Sequence, residues 1–133
     1  MEAISYNLSN FIINNELVNH IKEVNNSNID NDSKFYVNQT LNLISAYLDN
    51  SRYSMAYAIS KFITLTFQNM VKKNPDFCSK PMQDVLSEIG VPLYIISLRN
   101  EIVHGSCPAA QLLDLAFEDI IHWIKKNFWN KYL

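Results

Sequence analysis

Arg99 and His104, in the run Leu98-Arg-Asn-Glu-Ile-Val-His-Gly105, are side-chain types that together can cleave an RNA phosphodiester from protein groups alone. An imidazole exchanges protons near neutral pH, so His104 can take the proton of a ribose 2′-hydroxyl or give one to the departing 5′-oxygen. A guanidinium is permanently charged and matches phosphate oxygens in a two-pronged geometry, so Arg99 can stabilise the added charge of a pentacoordinate transition state. Attack by the 2′-hydroxyl would leave a 2′,3′-cyclic phosphate and a 5′-OH end, and would spare DNA, which lacks that nucleophile. Asn100 lies four residues before His104 on the same helical face, where its amide can hydrogen-bond the ring and orient it. Arg99 is five residues before, an offset of about 140° on a straight helix, so the two converge only if the last turn loosens or a second subunit supplies one of them.

The pattern Arg-x-x-x-x-His is weak alone in a chain with two arginines and three histidines. A surface Arg and a helix-terminal His favoured by the helix dipole would satisfy it equally. His20 and His122 fall on helices and read as surface histidines, and Cys78 and Cys107 lack the CxxC spacing of a metal or redox site. No glycine-rich phosphate loop, GxSxG or HExxH occurs, and no His/Cys/carboxylate set has metal spacing, so no cofactor and no metal are expected.

Those residues need a scaffold, and its class follows from composition. The 133 residues are 48% hydrophobic and 18% charged, with two glycines and four prolines, which suits long helices rather than the many turns of a sandwich or barrel. We expect one all-α domain over residues 1–133, a compact bundle of five to six helices. No run of apolar residues is long enough for a membrane span and no secretory leader is evident, so an intracellular protein with no membrane partner is expected. A net charge of -2 argues against gripping nucleic acid through bulk charge, so any RNA site must be local or completed by a second chain.

Along the chain, Ile13, Leu17, Ile21 and Val24 keep helical spacing, and residues 25–33 read as a polar loop with Asp32 or Ser33 available as a cap. Val37, Leu41, Ile44 and Leu48 predict one buried face on the next helix, which Asp49-Asn50-Ser51 interrupts. Residues 52–72 lack Gly and Pro, and Met55, Ile59, Phe62, Ile63 and Met70 mark the longest, central helix. Pro75 and Pro81 bracket a connection, and a short helix stops at Gly90. Pro92 opens a helix whose inner face is Val91, Ile95, Leu98 and Ile102, ending at His104-Gly105. Pro108 starts a last helix through Leu113, Phe117, Ile120, Ile124 and Phe128. Arg52, Lys61 and the pairs Lys72-Lys73 and Lys125-Lys126 can reach phosphates or merely face solvent, and Trp123 and Trp129 can stack bases or close the bundle.

Arg-Asn-x-x-x-His resembles the signature of the HEPN superfamily of helical ribonucleases, with Asn100 in the polar position after the Arg. The longer run Ile89-Gly-Val-Pro-Leu-Tyr-Ile-Ile-Ser-Leu-Arg-Asn-Glu-Ile-Val-His-Gly-Ser-Cys-Pro108, followed by a helix ending in Trp123 and Trp129, is similar to the Las-type pre-ribosomal RNA endonucleases. Arg52 and the basic-Phe pair Lys61-Phe62 fall on corresponding positions of the long helix. That family usually has His after the Arg and Thr before the last His, where this chain has Asn100 and Val103, so one imidazole is missing.

The resemblance implies a HEPN-like fold and a nuclear, nucleolar endoribonuclease that cuts the internal transcribed spacer between 5.8S and large-subunit ribosomal RNA. It implies a homodimer with Arg99, Asn100 and His104 in a composite catalytic site, Arg52 and Lys61 on RNA, and a polynucleotide 5′-kinase partner. A helical adaptor without catalysis and a HEPN toxin-type ribonuclease are the other readings.

Overall fold

The computed structural model describes Glu23 and residues 30–131. The expected first helix lies outside the described residues apart from Glu23, which is helical and exposed. Five α-helices follow: α1 (Asn31–Asp49), α2 (Arg52–Lys73), α3 (Met82–Glu88), α4 (Leu93–Val103) and α5 (Ala110–Asn127). Single 3-10 turns occupy Pro75–Ser79 and Trp129–Lys131, and no strand occurs among the described residues. The all-helical expectation holds.

The boundaries follow local chemistry. Asp30, rather than Asp32 or Ser33, caps α1, its carboxylate accepting the Ser33 backbone N–H at 2.7 Å. Asn50 ends α1 in the left-handed region (φ 54°), and the Ser51 hydroxyl caps α2 by accepting the Ser54 N–H at 3.3 Å. Helix α3 closes in a Schellman motif: Gly90 at φ 88° lets Gly90 N–H reach Ser87 O and Val91 N–H reach Leu86 O. Pro92 takes the N-cap position and Leu93 is the first helical residue, one place later than expected. Likewise Ala109, not Pro108, caps α5.

The 22-residue α2 is the longest of these helices and the centre of the packing, touching α1, α3, α4 and α5. Its Ile59, Phe62 and Ile63 meet Leu43 of α1, Ile95 and Leu98 of α4, and Phe117, Ile120 and Ile124 of α5 in one hydrophobic core. Met55 is buried and Met70 half-buried, in keeping with the expected stripe. Trp123 and Trp129 close this core rather than offering stacking surfaces. The Trp129 indole N–H donates to Thr40 Oγ1 at 2.9 Å, and the Trp123 N–H donates to the Ile89 carbonyl at 2.8 Å.

The inner face of α1 differs from the expected one. Leu48 is 66% exposed and Leu41 38%, whereas Tyr36, Thr40 and Leu43 are buried beside Val37. The buried stripe sits roughly a quarter-turn from the purely apolar one. Thr40 can enter the core because Trp129 and the Tyr36 carbonyl satisfy its hydroxyl, a partnership invisible to a pattern of apolar residues.

Candidate functional site at the end of helix α4

Helix α4 is held on the bundle by Ile95, Ile96 and Leu98, which are buried, so its outer positions are fixed as a rigid row. Its C-terminus is a second Schellman motif. Gly105 at φ 98° allows Gly105 N–H to bond Ile102 O and Ser106 N–H to bond Glu101 O, each at 3.0 Å. His104 is therefore the C-cap residue, and its exposed side chain leaves from the helix end.

Arg99, one turn earlier, is half-buried and points to α2. Its Nε donates to Thr64 Oγ1 at 3.1 Å, and its Nη1 donates to Asn100 Oδ1 at 3.0 Å. A guanidinium has five N–H donors. Two are engaged here, and the others have no partner among the described residues.

Asn100 thus orients Arg99, and it makes no side-chain hydrogen bond to His104, which corrects the role expected for it. The cause is proximity: adjacent Arg99 offers the Asn100 amide oxygen a charged donor at 3.0 Å. Arg99 and His104 are not in contact within the chain, as the offset of about 140° requires. Arg99 and Asn100 form one unit, tied to α2 through Thr64, and the exposed His104 at the helix end forms another. Thr64 was not anticipated from the sequence; a Thr in the middle of a helix carries no signal until α4 is packed against α2.

Arg52 and Lys61 lie nine residues apart on α2 and leave it on opposite sides, so they do not form one cluster. Each meets a tyrosine. The Arg52 guanidinium carbon is 5.7 Å from the Tyr53 ring centre, and Lys61 Nζ is 5.9 Å from that of Tyr57. The Arg52 guanidinium also lies against the Cys107 thiol, which holds the Arg52 charge more firmly still. This contact joins the start of α2 to the loop after His104. Lys73 is committed to Asp32 at 2.5 Å, and His122, exposed as expected, has Glu118 at 3.7 Å across one helical turn.

Elsewhere, the Tyr94 hydroxyl donates to Asp119, and burial followed by that bond raises its pKa above the usual tyrosine value. Among the described residues no group of three His, Cys, Asp or Glu is placed to hold a metal ion, and no helix is long and apolar enough to cross a membrane.

Comparison with known proteins finds relatives of this chain. The chain is 26% identical over 97 residues to the pre-rRNA-processing protein las1 of Schizosaccharomyces pombe, covering 71% of this chain and 20% of that protein. It is 24% identical over 68 residues to the ribosomal biogenesis protein LAS1L of Mus musculus, covering 50% of this chain and 9% of that one. The matched part is thus a small fraction of each relative's own length. No solved structure matches. The family model described as Las1-like matches residues 14–131, which include α1 to α5 and both Arg99 and His104, and the chain belongs to that family.

Proposed function

We propose that this protein takes part in ribosomal RNA processing as an endoribonuclease, cutting precursor ribosomal RNA in the internal transcribed spacer between the 5.8S and large-subunit RNAs. His104 moves the proton of the attacking 2′-hydroxyl or of the leaving 5′-oxygen. Arg99, steadied by Thr64 and Asn100, directs its remaining donors at the phosphate in the transition state. The products are a 2′,3′-cyclic phosphate and a 5′-OH end. These side chains supply the proton transfer and the charge stabilisation themselves, so the reaction is metal-independent.

One structural observation supports the reading most. Arg99 is anchored with donors to spare and His104 is free at the adjoining helix end, in a chain matched by the Las1-like family across both residues. Because the two side chains diverge within one chain, the active site is composite. Two copies related by a two-fold axis bring Arg99 and His104 to one phosphate. In this reading the protein is nuclear and nucleolar, forms a single domain, contacts RNA through Arg52 and Lys61, and works with a polynucleotide 5′-kinase that phosphorylates the 5′-OH product.

Cleavage of spacer RNA in EDTA, with cyclic-phosphate ends and no cutting of the matching DNA, tests this. Loss of cleavage in Arg99→Ala and His104→Ala, with helicity and self-association retained, is the expected outcome. A second reading, a non-catalytic adaptor, is favoured by Asn100, which stands where the family pattern has a further imidazole and is occupied by Arg99. Binding of spacer RNA without cleavage, with the kinase present, would favour the adaptor.

A further inference from the structure

Helix α2 contains no Asp or Glu, although the chain as a whole carries a net charge of -2. Its outer surface is unusual in a second respect. Tyr53 is 70% exposed and Tyr57 67%, and each has a cation over its ring, Arg52 on the first and Lys61 on the second. Tyr53, Tyr57, Ser60 and Thr64 step by four, three and four residues, so they form one stripe along α2. That stripe ends on the hydroxyl that anchors Arg99.

The packing of α4 gives this stripe its direction. Arg99 touches Thr64 in the middle of α2, and Cys107, three residues past His104, touches Arg52 at its start. Helix α4 therefore runs antiparallel to α2, and His104 falls between those two tie points along the chain. From Tyr53 to Thr64 the stripe is about 16 Å long.

We propose that Tyr53 and Tyr57 stack on successive bases of single-stranded RNA, with Arg52 and Lys61 on the flanking phosphates, and lead the strand to Arg99 and His104. The proposal rests on the reading of the Arg99–His104 end as an RNA site. Exposed rings offer a π-face to any base, and the cations beside them supply backbone attraction that a net acidic protein otherwise lacks. The carboxylate at the end of α1 beside this surface, Asp49, accepts a hydrogen bond from Ser54 at 2.7 Å. Tyr53 and Tyr57 are positioning residues in this scheme and take no part in proton transfer.

The test is binding of a fluorescent single-stranded RNA with methylated 2′-hydroxyls, which cannot be cleaved, followed by anisotropy over a range of salt concentrations. Tyr53→Ala and Tyr57→Ala each weaken binding roughly five- to hundredfold, as the loss of one stacked base does, without changing the salt dependence. Tyr→Phe at either position retains affinity, because the ring is what binds. Lys61→Ala instead reduces the slope of log affinity against log salt by about 0.7.

Unchanged RNA affinity in the double alanine variant overturns the proposal. So does loss of self-association in that variant by sedimentation, which would assign the stripe to a second copy of the chain. Binding is read without cleavage, so an inactive protein that binds RNA through these tyrosines refutes the nuclease reading alone. An active protein indifferent to their removal refutes the stacking proposal alone.

Discussion

Replacing Thr64 by Val tests whether a single hydrogen bond between helices sets the aim of Arg99. Valine keeps the branched shape of threonine and fits the same half-buried position, so α2 and its packing stay intact. Only the acceptor of Arg99 Nε at 3.1 Å is lost. A hydrogen bond to a charged group contributes about 1.5–3 kcal/mol when sheltered, and the half-exposure of Arg99 reduces this to about 1 kcal/mol. If the bond holds Arg99 in its transition-state position, that energy comes off kcat, a fall of about fivefold, with KM nearly unchanged. Arg99→Ala removes the charge itself and lowers kcat by a hundredfold or more, to order of magnitude. Single-turnover cleavage of spacer RNA separates these effects, with melting temperature as the control. Thr64→Ser, which keeps the hydroxyl, returns the rate toward wild type. A Thr64→Val enzyme at full rate beside an inactive Arg99→Ala would show that Arg99 is aimed by something other than α2.

The fold makes further predictions. Thr40→Val leaves the Trp129 indole N–H buried without its acceptor, at a cost of about 1–3 kcal/mol, read as a lower urea midpoint with an unchanged slope. Gly90→Ala and Gly105→Ala should each cost about 1–2 kcal/mol, since both glycines have positive φ. A Cβ at Gly90 would sit 3.8 Å from Trp123 Nε1 and one at Gly105 would meet nothing, so a much larger loss at Gly90 would show that packing, not backbone strain, governs the site. Burial, assisted by Asp32, pushes the Tyr36 hydroxyl up from 10.0 to about 12. The folded state therefore keeps that proton longer than the unfolded chain, so the contribution is complete below about pH 10 and is lost as pH rises toward 12. Urea titrations of wild type and Tyr36→Phe across that window should show the wild type losing about 2–3 kcal/mol more. Equal alkaline slopes would refute the assignment to Tyr36.

Helical periodicity located the described helices because burial of α2, α4 and α5 is dominated by apolar residues, with Thr66 the buried polar residue on α2. Ile59, Phe62, Ile95, Leu98, Phe117 and Ile124 are all in the core where spacing puts them. It failed on α1, where a threonine satisfied by a distant tryptophan replaces Leu41 and Leu48 on the inner face. The ends of α3 and α4 were equally readable, since glycine is the residue that accepts φ near 90° without strain.

At the candidate site the sequence by itself determined the side chains present, the helix end on which His104 stands, and the angle that separates it from Arg99. Tertiary structure decided the partners. Thr64 is 35 residues from Arg99 along the chain, Cys107 lies 55 residues beyond Arg52, and neither pairing leaves a trace in local spacing. Asn100 could have served either neighbour, and in the folded chain its amide oxygen accepts from the adjacent Arg99. Local order along a helix depends on residues three and four apart, which a sequence displays directly. A site depends on which helix faces lie side by side, and packing of the whole core sets that.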